Sequence, residues 1–235
     1  MKISCISDTH GIEFDFLQPC DILTVSGDIS PCYHTGLSQK DYFFQEFLPK
    51  ITKNAKTVIF IAGNHDKFLE TIMKYGDEEA FKRDLPKNVY YLRDSSVIIN
   101  GIHFYGTPWT PEFCRWHFMK LDNDEGLGKE FEKIPENVDY LLSHGPAFRF
   151  NDKIELPVYM SQLDSHNLGS KQLLKHVIRA RPKNLCVGHI HSGSHKDMKI
   201  LWDKQDLTKY TISRNVSILD ESYEPFYKDV MTKEC

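Results

Sequence analysis

Thr57-Val58-Ile59-Phe60-Ile61-Ala62-Gly63-Asn64-His65-Asp66 runs an apolar segment into a polar tetrad without any polar alternation on the way. A short run rich in β-branched and aromatic residues, with no polar face, reads as a strand buried on both sides. Glycine ends it, and an amide, an imidazole and a carboxylate follow at once. The same pattern recurs outward in both directions. Ile3 to Ile6 breaks at Ser7-Asp8-Thr9-His10, and Ile22 to Val25 breaks at Ser26-Gly27-Asp28. Val138 to Leu142 breaks at Ser143-His144-Gly145-Pro146, and Asn184 to Val187 breaks at Gly188-His189-Ile190-His191.

Helix-like stretches separate these runs. Tyr42, Phe43, Phe47, Leu48 and Ile51 repeat near the helical period, with Pro49 expected to end or kink that helix. Lys67 to Lys74 and Lys171 to Arg179 are amphipathic, the second stopped by Pro182. Strands alternating with helices mean an α/β protein with layered sheets. Val89 to Gly106 reads as hairpin strands turning at Asn100-Gly101. Tyr210 to Leu219 reads as a further strand, and Thr110 to Gly128 as a loop or short helices near the site.

The bulk numbers narrow the class. The 235 residues, 40% hydrophobic and 26% charged, suit one domain spanning 1–235 with an ordinary core. A net charge of −4 with no long Lys/Arg run argues against long nucleic acid and against a membrane surface as partners. The six cysteines form no C-x-x-C pair and read as reduced thiols, with Cys5 and Cys186 in the core. The opening apolar run is too short for a signal peptide and no run approaches a membrane span, so a cytoplasmic location is expected.

In an α/β fold the carboxyl ends of the strands form one edge, where ligands bind. Asp8, His10, Asp28, Asn64, His65, His144, His189 and His191 would converge there. Oxygen and imidazole donors without cysteine suit Zn, Fe, Mn, Ni or Co. They outnumber the needs of one ion, so a shared carboxylate and two divalent metal ions are expected. Two ions roughly 3.5–4 Å apart are the usual clamp for phosphoryl hydrolysis.

Asp8-Thr9-His10, Gly27-Asp28, Gly63-Asn64-His65-Asp66, Ser143-His144-Gly145-Pro146 and Gly188-His189-Ile190-His191 resemble, in order, the blocks of the calcineurin-like metallophosphoesterase superfamily. Further stretches are similar to its metallophosphoesterase-domain-containing branch, whose members act as cyclic-nucleotide or general phosphodiesterases. These are Gly106-Thr107-Pro108-Trp109, the Leu173-Leu174 helix after His166-Asn167-Leu168-Gly169, Arg181-Pro182-Lys183, and the tail Asn215-Val216-Ser217 with Asp220, Glu221, Tyr223 and Pro225. Some members of that branch carry Gly in place of a metal-binding His of the last block; His189 and His191 are both present here.

The resemblance implies a four-layer α/β/β/α sandwich of two facing mixed β-sheets flanked by helices. It implies a first metal on Asp8, His10, Asp28 and His191, and a second on Asp28, Asn64, His144 and His189. His65 would protonate the leaving alkoxide and Asp66 would orient its ring. The expected activity is hydrolysis of small phosphodiesters, cyclic nucleotides among them, or of phosphomonoesters by a metal-activated hydroxide.

Three rivals are weaker. A nuclease would want a basic stripe that is absent. A scaffold would have lost His65. A phosphoprotein phosphatase would carry arginine-bearing extensions, whereas Ile29 follows Asp28 and Asp66 follows His65. The remaining histidines have bland readings. His34 reads as exposed loop, His103 as structural, His176 as solvated, and His195 as outside the metal shell. His117 reads as solvent-exposed or touching substrate, and His166 as structural or substrate-lining. Trp109, Phe113, Trp116 and Phe118 are expected to pack a lid, with one ring lining the pocket.

Overall fold

The computed structural model describes residues 1–12, 17–31, 36–154, 167–193 and 195–225, with the backbone of 231–234. Cys32, His34, Cys235 and His166 lie outside the described residues. The chain starts with β1 (Lys2–Ile6) and β2 (Cys20–Val25), followed by helices α1 (Gln39–Tyr42) and α2 (Leu48–Asn54). Then come β3 (Ala55–Phe60), α3 (Lys67–Tyr75), α4 (Glu78–Asp84) and β4 (Val89–Tyr91). A hairpin of β5 (Ser95–Ile99) and β6 (Ile102–Thr107) leads to the two-residue strands β7 (Thr110–Pro111) and β8 (Met119–Lys120). After them lie α5 (Lys129–Glu132), β9 (Tyr140–Ser143), α6 (Lys171–Ala180), β10 (Asn184–Val187), β11 (Met198–Leu201), β12 (Tyr210–Asn215) and β13 (Met231–Glu234).

The first sheet has the order β13-β1-β2-β3-β4 and the second β11-β12-β10-β9-β6-β5. Both are mixed. β1 to β4 run parallel, with β13 antiparallel at the edge. β6, β9, β10 and β12 run parallel, with β5 and β11 antiparallel outside them.

Residue alternation along the strands builds the layers. Ile3, Cys5, Ile22, Ile59 and Ile61 of the first sheet share one buried cluster with Phe104, Tyr140, Leu142 and Cys186 of the second. Their neighbours Ile6, Leu23, Val25, Val58 and Phe60 point the other way, into the cluster that holds Phe43, Phe47, Ile51, Leu69 and Phe81 of the helices. Leu141, Leu185 and Val187 do the same on the far side with Phe131, Leu173 and Val177. Helix, sheet, sheet and helix layers follow from that alternation, as expected from the resemblance.

Three details differ from the sequence expectations. Pro49 does not end its helix. The Leu48 N–H reaches back to the Phe43 carbonyl, a π-helical turn over Phe43–Phe47, and α2 continues to Asn54 with proline in its first turn, where its missing N–H is harmless. Val89–Tyr91 is no part of the hairpin, because it pairs with β3 in the first sheet, and the chain then crosses to the second sheet. The hairpin itself turns at Asn100 (φ 51°) and Gly101 (φ 79°), the left-handed pair that a tight turn needs. His176 is buried, since the helical period puts it beside Leu173 and Ala180. Arg181 in the left-handed region, followed by Pro182, stops α6.

Candidate metal centre

The parallel strands end together along the seam between the sheets. Ser26 N–H bonds Ile6 O, Asp8 N–H bonds Gly27 O and His10 N–H bonds Asp28 O, so the loops after β1 and β2 continue each other's ladder. The segment after β12 crosses from the second sheet to the first. Its Val216 carbonyl accepts from Ser7 N–H at 2.8 Å, and its Ile218 N–H donates to Ser7 O at 3.1 Å. This staple holds Ser7, the residue just before Asp8.

The structure brings all seven expected ligands to this seam. Asp8, His10, Asp28, Asn64, His144 and His191 are buried, and His189 is partly buried. Asp28 is central. Its Oδ2 lies 3.3 Å from His144 Nε2, 3.6 Å from His10 Nε2 and 4.0 Å from His65 Nε2. His191 Nε2 lies 3.5 Å from Asp8 Oδ1. Asn64 Oδ1 is 2.8 Å from His144 Nε2, and the His189 ring stands 5.1 Å from that of His144. Geometry groups Asp8, His10 and His191 as one set, and Asp8, Asp28 and His144 as another.

Backbone groups orient these side chains. His144 Nδ1 donates to Ser26 O and His191 Nδ1 to Asp220 O, both at 2.9 Å, so each ring turns its Nε2 toward the carboxylates. Asp8 accepts the backbone N–H of His189, and Asp28 that of His65. Asp8, His10, Asp28 and His189 all adopt left-handed φ, between 41° and 68°. Such backbone costs about 1–2 kcal/mol per residue, and it clusters where function demands it. Glycines make room for the ligands. A Cβ on Gly63 would stand 2.2 Å from Asp28 Oδ1, and one on Gly188 2.2 Å from Asp8 Oδ2.

The charges interlock. Burial works to raise the Asp8 carboxyl, but the neighbouring His191 imidazole outweighs it and brings it down to about 2. Asp28 is likewise held below the usual carboxylate range, against its burial, chiefly by His144. Burial disfavours charge on His144 and His191 too. The neighbouring carboxylates overcome it and raise both to about 9. His10 and His189 are pushed down to about 4 and about 3, mainly by burial. Two anionic carboxylates thus face two protonated imidazoles, and a cation bound here would displace those protons.

Asp66 departs from its expected part. Its carboxylate is fully buried and accepts the backbone N–H groups of Ser30 at 2.9 Å, Gly63 at 2.8 Å and Ile29 at 3.1 Å. A buried carboxylate needs such donors. It therefore ties the loop after β2 to the loop after β3, rather than orienting the ring of His65. His195 lies outside the cluster, its Nε2 3.3 Å from His191 O. His103 sits in β6, its N–H on Asp139.

Above the cluster opens a cleft of about 220 Å³ lined by Asp28, Asn64, His65, His189, His191, Phe113, Trp116, Glu221 and Tyr223. Trp109 and Phe118 are buried as packing, while two aromatic rings of that region, Phe113 and Trp116, line the cleft. His117 is neither free in solvent nor at the cleft wall; its Nδ1 donates to Glu70 at 2.9 Å. Residue-by-residue reading missed Tyr223, whose ring meets His10 and His191 edge-on at 5.0 and 5.3 Å. Only its place in the branch-like tail marked it. No helix among the described residues is long and apolar enough to cross a membrane.

The chain is 32% identical over 211 residues to human metallophosphoesterase domain-containing protein 1, covering 82% of this chain and 61% of that protein. It is 32% identical over 219 residues to a UPF0046 protein of Caenorhabditis elegans, covering 82% of this chain and 52% of the relative. The chain thus spans between half and two thirds of the length of these relatives. Among solved structures it is similar to phosphopantetheinyl hydrolase of Mycobacterium tuberculosis, with TM-score 0.54, 14% identity, and 94% and 90% of the two chains covered. It is also similar to a Thermus thermophilus protein, TT1561, with TM-score 0.54, 13% identity, and 99% and 98% covered. Residues 1–193 match the calcineurin-like phosphoesterase family, so the five strand ends that meet around Asp28 belong to a member of that family.

Proposed function

We propose that this chain hydrolyses small phosphodiesters with two divalent cations. Asp8, His10, Asp28 and His191 would hold one ion, and Asp28, Asn64, His144 and His189 the other. Asp28 is the observation that carries the reading. Its separations of 3.3 and 3.6 Å from His144 and His10 are long for hydrogen bonds. They suit two ligands of one ion, which stand roughly 3–3.5 Å apart when each is about 2.1 Å from the metal. The N/O donor set fits Mn, Fe, Ni, Co or Zn. When bound, such ions supply Lewis acidity toward phosphoryl oxygen and make water acidic enough to react near neutral pH.

The chain's own groups do the rest. The Asn64 amide reaches the cleft and can contact a substrate oxygen. His65, with its side chain 16% exposed at the cleft, gives a proton to the leaving alkoxide. The aromatic rings of Trp116 and Tyr223 wall the cleft and limit water. The diester preference is supported by the lining, which includes Glu221 and, among the described residues, neither Lys nor Arg. A terminal dianion or a long polyanion finds no Lys or Arg side chain there among the described residues.

Metal-stripped protein supplied in turn with Mn, Ni, Co, Zn or Mg, and assayed on bis(4-nitrophenyl) phosphate and 4-nitrophenyl phosphate, tests this reading. Restored turnover with the diester ahead supports it. Faster monoester turnover removes the diester preference, and no turnover in protein that binds two ions removes the hydrolase reading.

A further inference from the structure

Trp116 is 44% exposed, yet its indole lies 4.3 Å from the His65 ring, tilted by 42°. Core burial does not explain a large ring held there. The loop that carries it is strained: Cys114, Arg115 and Phe118 have φ of 49°, 58° and 51°. Such conformations persist only where surrounding contacts impose them.

The main anchor is Glu70, one turn into α3 and so rigidly related to His65. Its Oε2 accepts His117 Nδ1 and its Oε1 accepts Phe118 N–H, both at 2.9 Å. Its side chain is only 13% exposed, which strengthens both bonds. His117 N–H closes the link by donating to the Asn64 carbonyl at 3.2 Å, one residue before His65. The His65 backbone is fixed elsewhere as well. Its N–H bonds Asp28, and its carbonyl accepts Gln39 Nε2 at 2.8 Å. The His65 ring itself meets the His10 ring edge-on at 5.0 Å and the indole at 4.3 Å.

We propose that Trp116 and Glu70 are positioning residues for His65: Glu70 docks the 113–118 loop, and the loop holds the indole against the imidazole. This rests on the proposed reading of His65 as the acid for the leaving group. A proton donor displaced by about 1 Å can lose on the order of 10²-fold in rate. The loss should be largest for leaving groups that most need the proton.

The test uses full-length, metal-loaded protein and a series of phosphodiesters whose leaving groups run from 4-nitrophenol through phenol to an alkyl alcohol. Trp116→Ala is expected to lower kcat by about 10–100-fold for the alkyl leaving group and about tenfold less for 4-nitrophenol. Trp116→Phe should restore most of that, and Glu70→Gln should lose less than Glu70→Ala. Glu70→Ala with Trp116→Ala together should be no slower than Trp116→Ala alone, because both act through one ring. The imidazole proton resonances of His65 should lose the indole ring-current shift in Trp116→Ala and, in part, in Glu70→Ala.

Losses independent of the leaving group, losses in KM alone, or losses that multiply in the double variant would overturn the proposal. His65→Ala separates the two levels. If it leaves alkyl-ester turnover intact, the role given to His65 fails and this inference with it. If His65→Ala loses that turnover while Trp116→Ala does not, only this inference fails.

Discussion

The floor of the cleft and its rim are built by different means. On the floor, Asp8, Asp28, Asn64 and His144 are at most 3% exposed and sit directly at strand ends. Backbone carbonyls and N–H groups orient Asp8, Asp28 and His144, and left-handed φ values aim Asp8 and Asp28. At the rim, Phe113, Trp116 and Tyr223 are 61%, 44% and 45% exposed and come from loops far apart in the chain. The floor is a property of the fold; the rim is a property of this chain's loops. Changes to the floor should therefore strike metal binding and every substrate together, whereas changes to the rim should leave the metals in place and redistribute preference among substrates.

The largest effect is expected from Asp28→Ala, which removes the carboxylate facing three imidazoles. Metal content should fall for both sites, and turnover should drop on the order of 10³-fold or more, several kcal/mol of transition-state stabilisation. Metal analysis alongside steady-state kinetics checks it; full loading would erase the distinction between floor and rim at its centre. His65→Ala comes next. It should keep both ions and lose about 10²–10⁴-fold in turnover of esters with basic leaving groups.

Gly63→Ala probes the floor without removing any ligand. The added Cβ must displace Asp28 or His144, so metal affinity should weaken about 10–100-fold. A metal titration followed by calorimetry measures that. The same calorimetry, repeated at pH 7 in buffers of different ionisation enthalpy, should show proton release on metal uptake, because His144 and His191 titrate at about 9. Affinity should accordingly fall as pH is lowered. The smallest effect belongs to Tyr223→Ala at the rim. Its edge-on contacts are worth about 0.5–1.5 kcal/mol, so metal content should hold while KM moves about tenfold or less. Loss of metal in that variant would place Tyr223 with the floor.

The floor was legible in the sequence for a physical reason. Each ligand block follows a buried strand, and parallel strands bring their carboxyl ends to one edge. The layered sandwich came from the resemblance; alternation of strands and helices is only compatible with it. His176 was misread as solvated, although it falls on the Leu173–Ala180 stripe of α6. Other features had no local signal. The burial of Asp66 against three backbone N–H groups depends on how two loops meet, and the left-handed φ of Asp8 and His189 depends on the sheets they join. An exposed Trp116 and a packed Trp109 look alike in sequence, because the ring that Trp116 meets, His65, lies far away in the chain.

The central claim is that Asp28 joins two metal sites. The most direct measurement is an anomalous difference map from a crystal of this protein grown with Mn²⁺. Two peaks flanking the Asp28 carboxylate, one toward Asp8, His10 and His191 and one toward Asn64, His144 and His189, are the predicted result. A single peak, or none within bonding distance of Asp28, would contradict it.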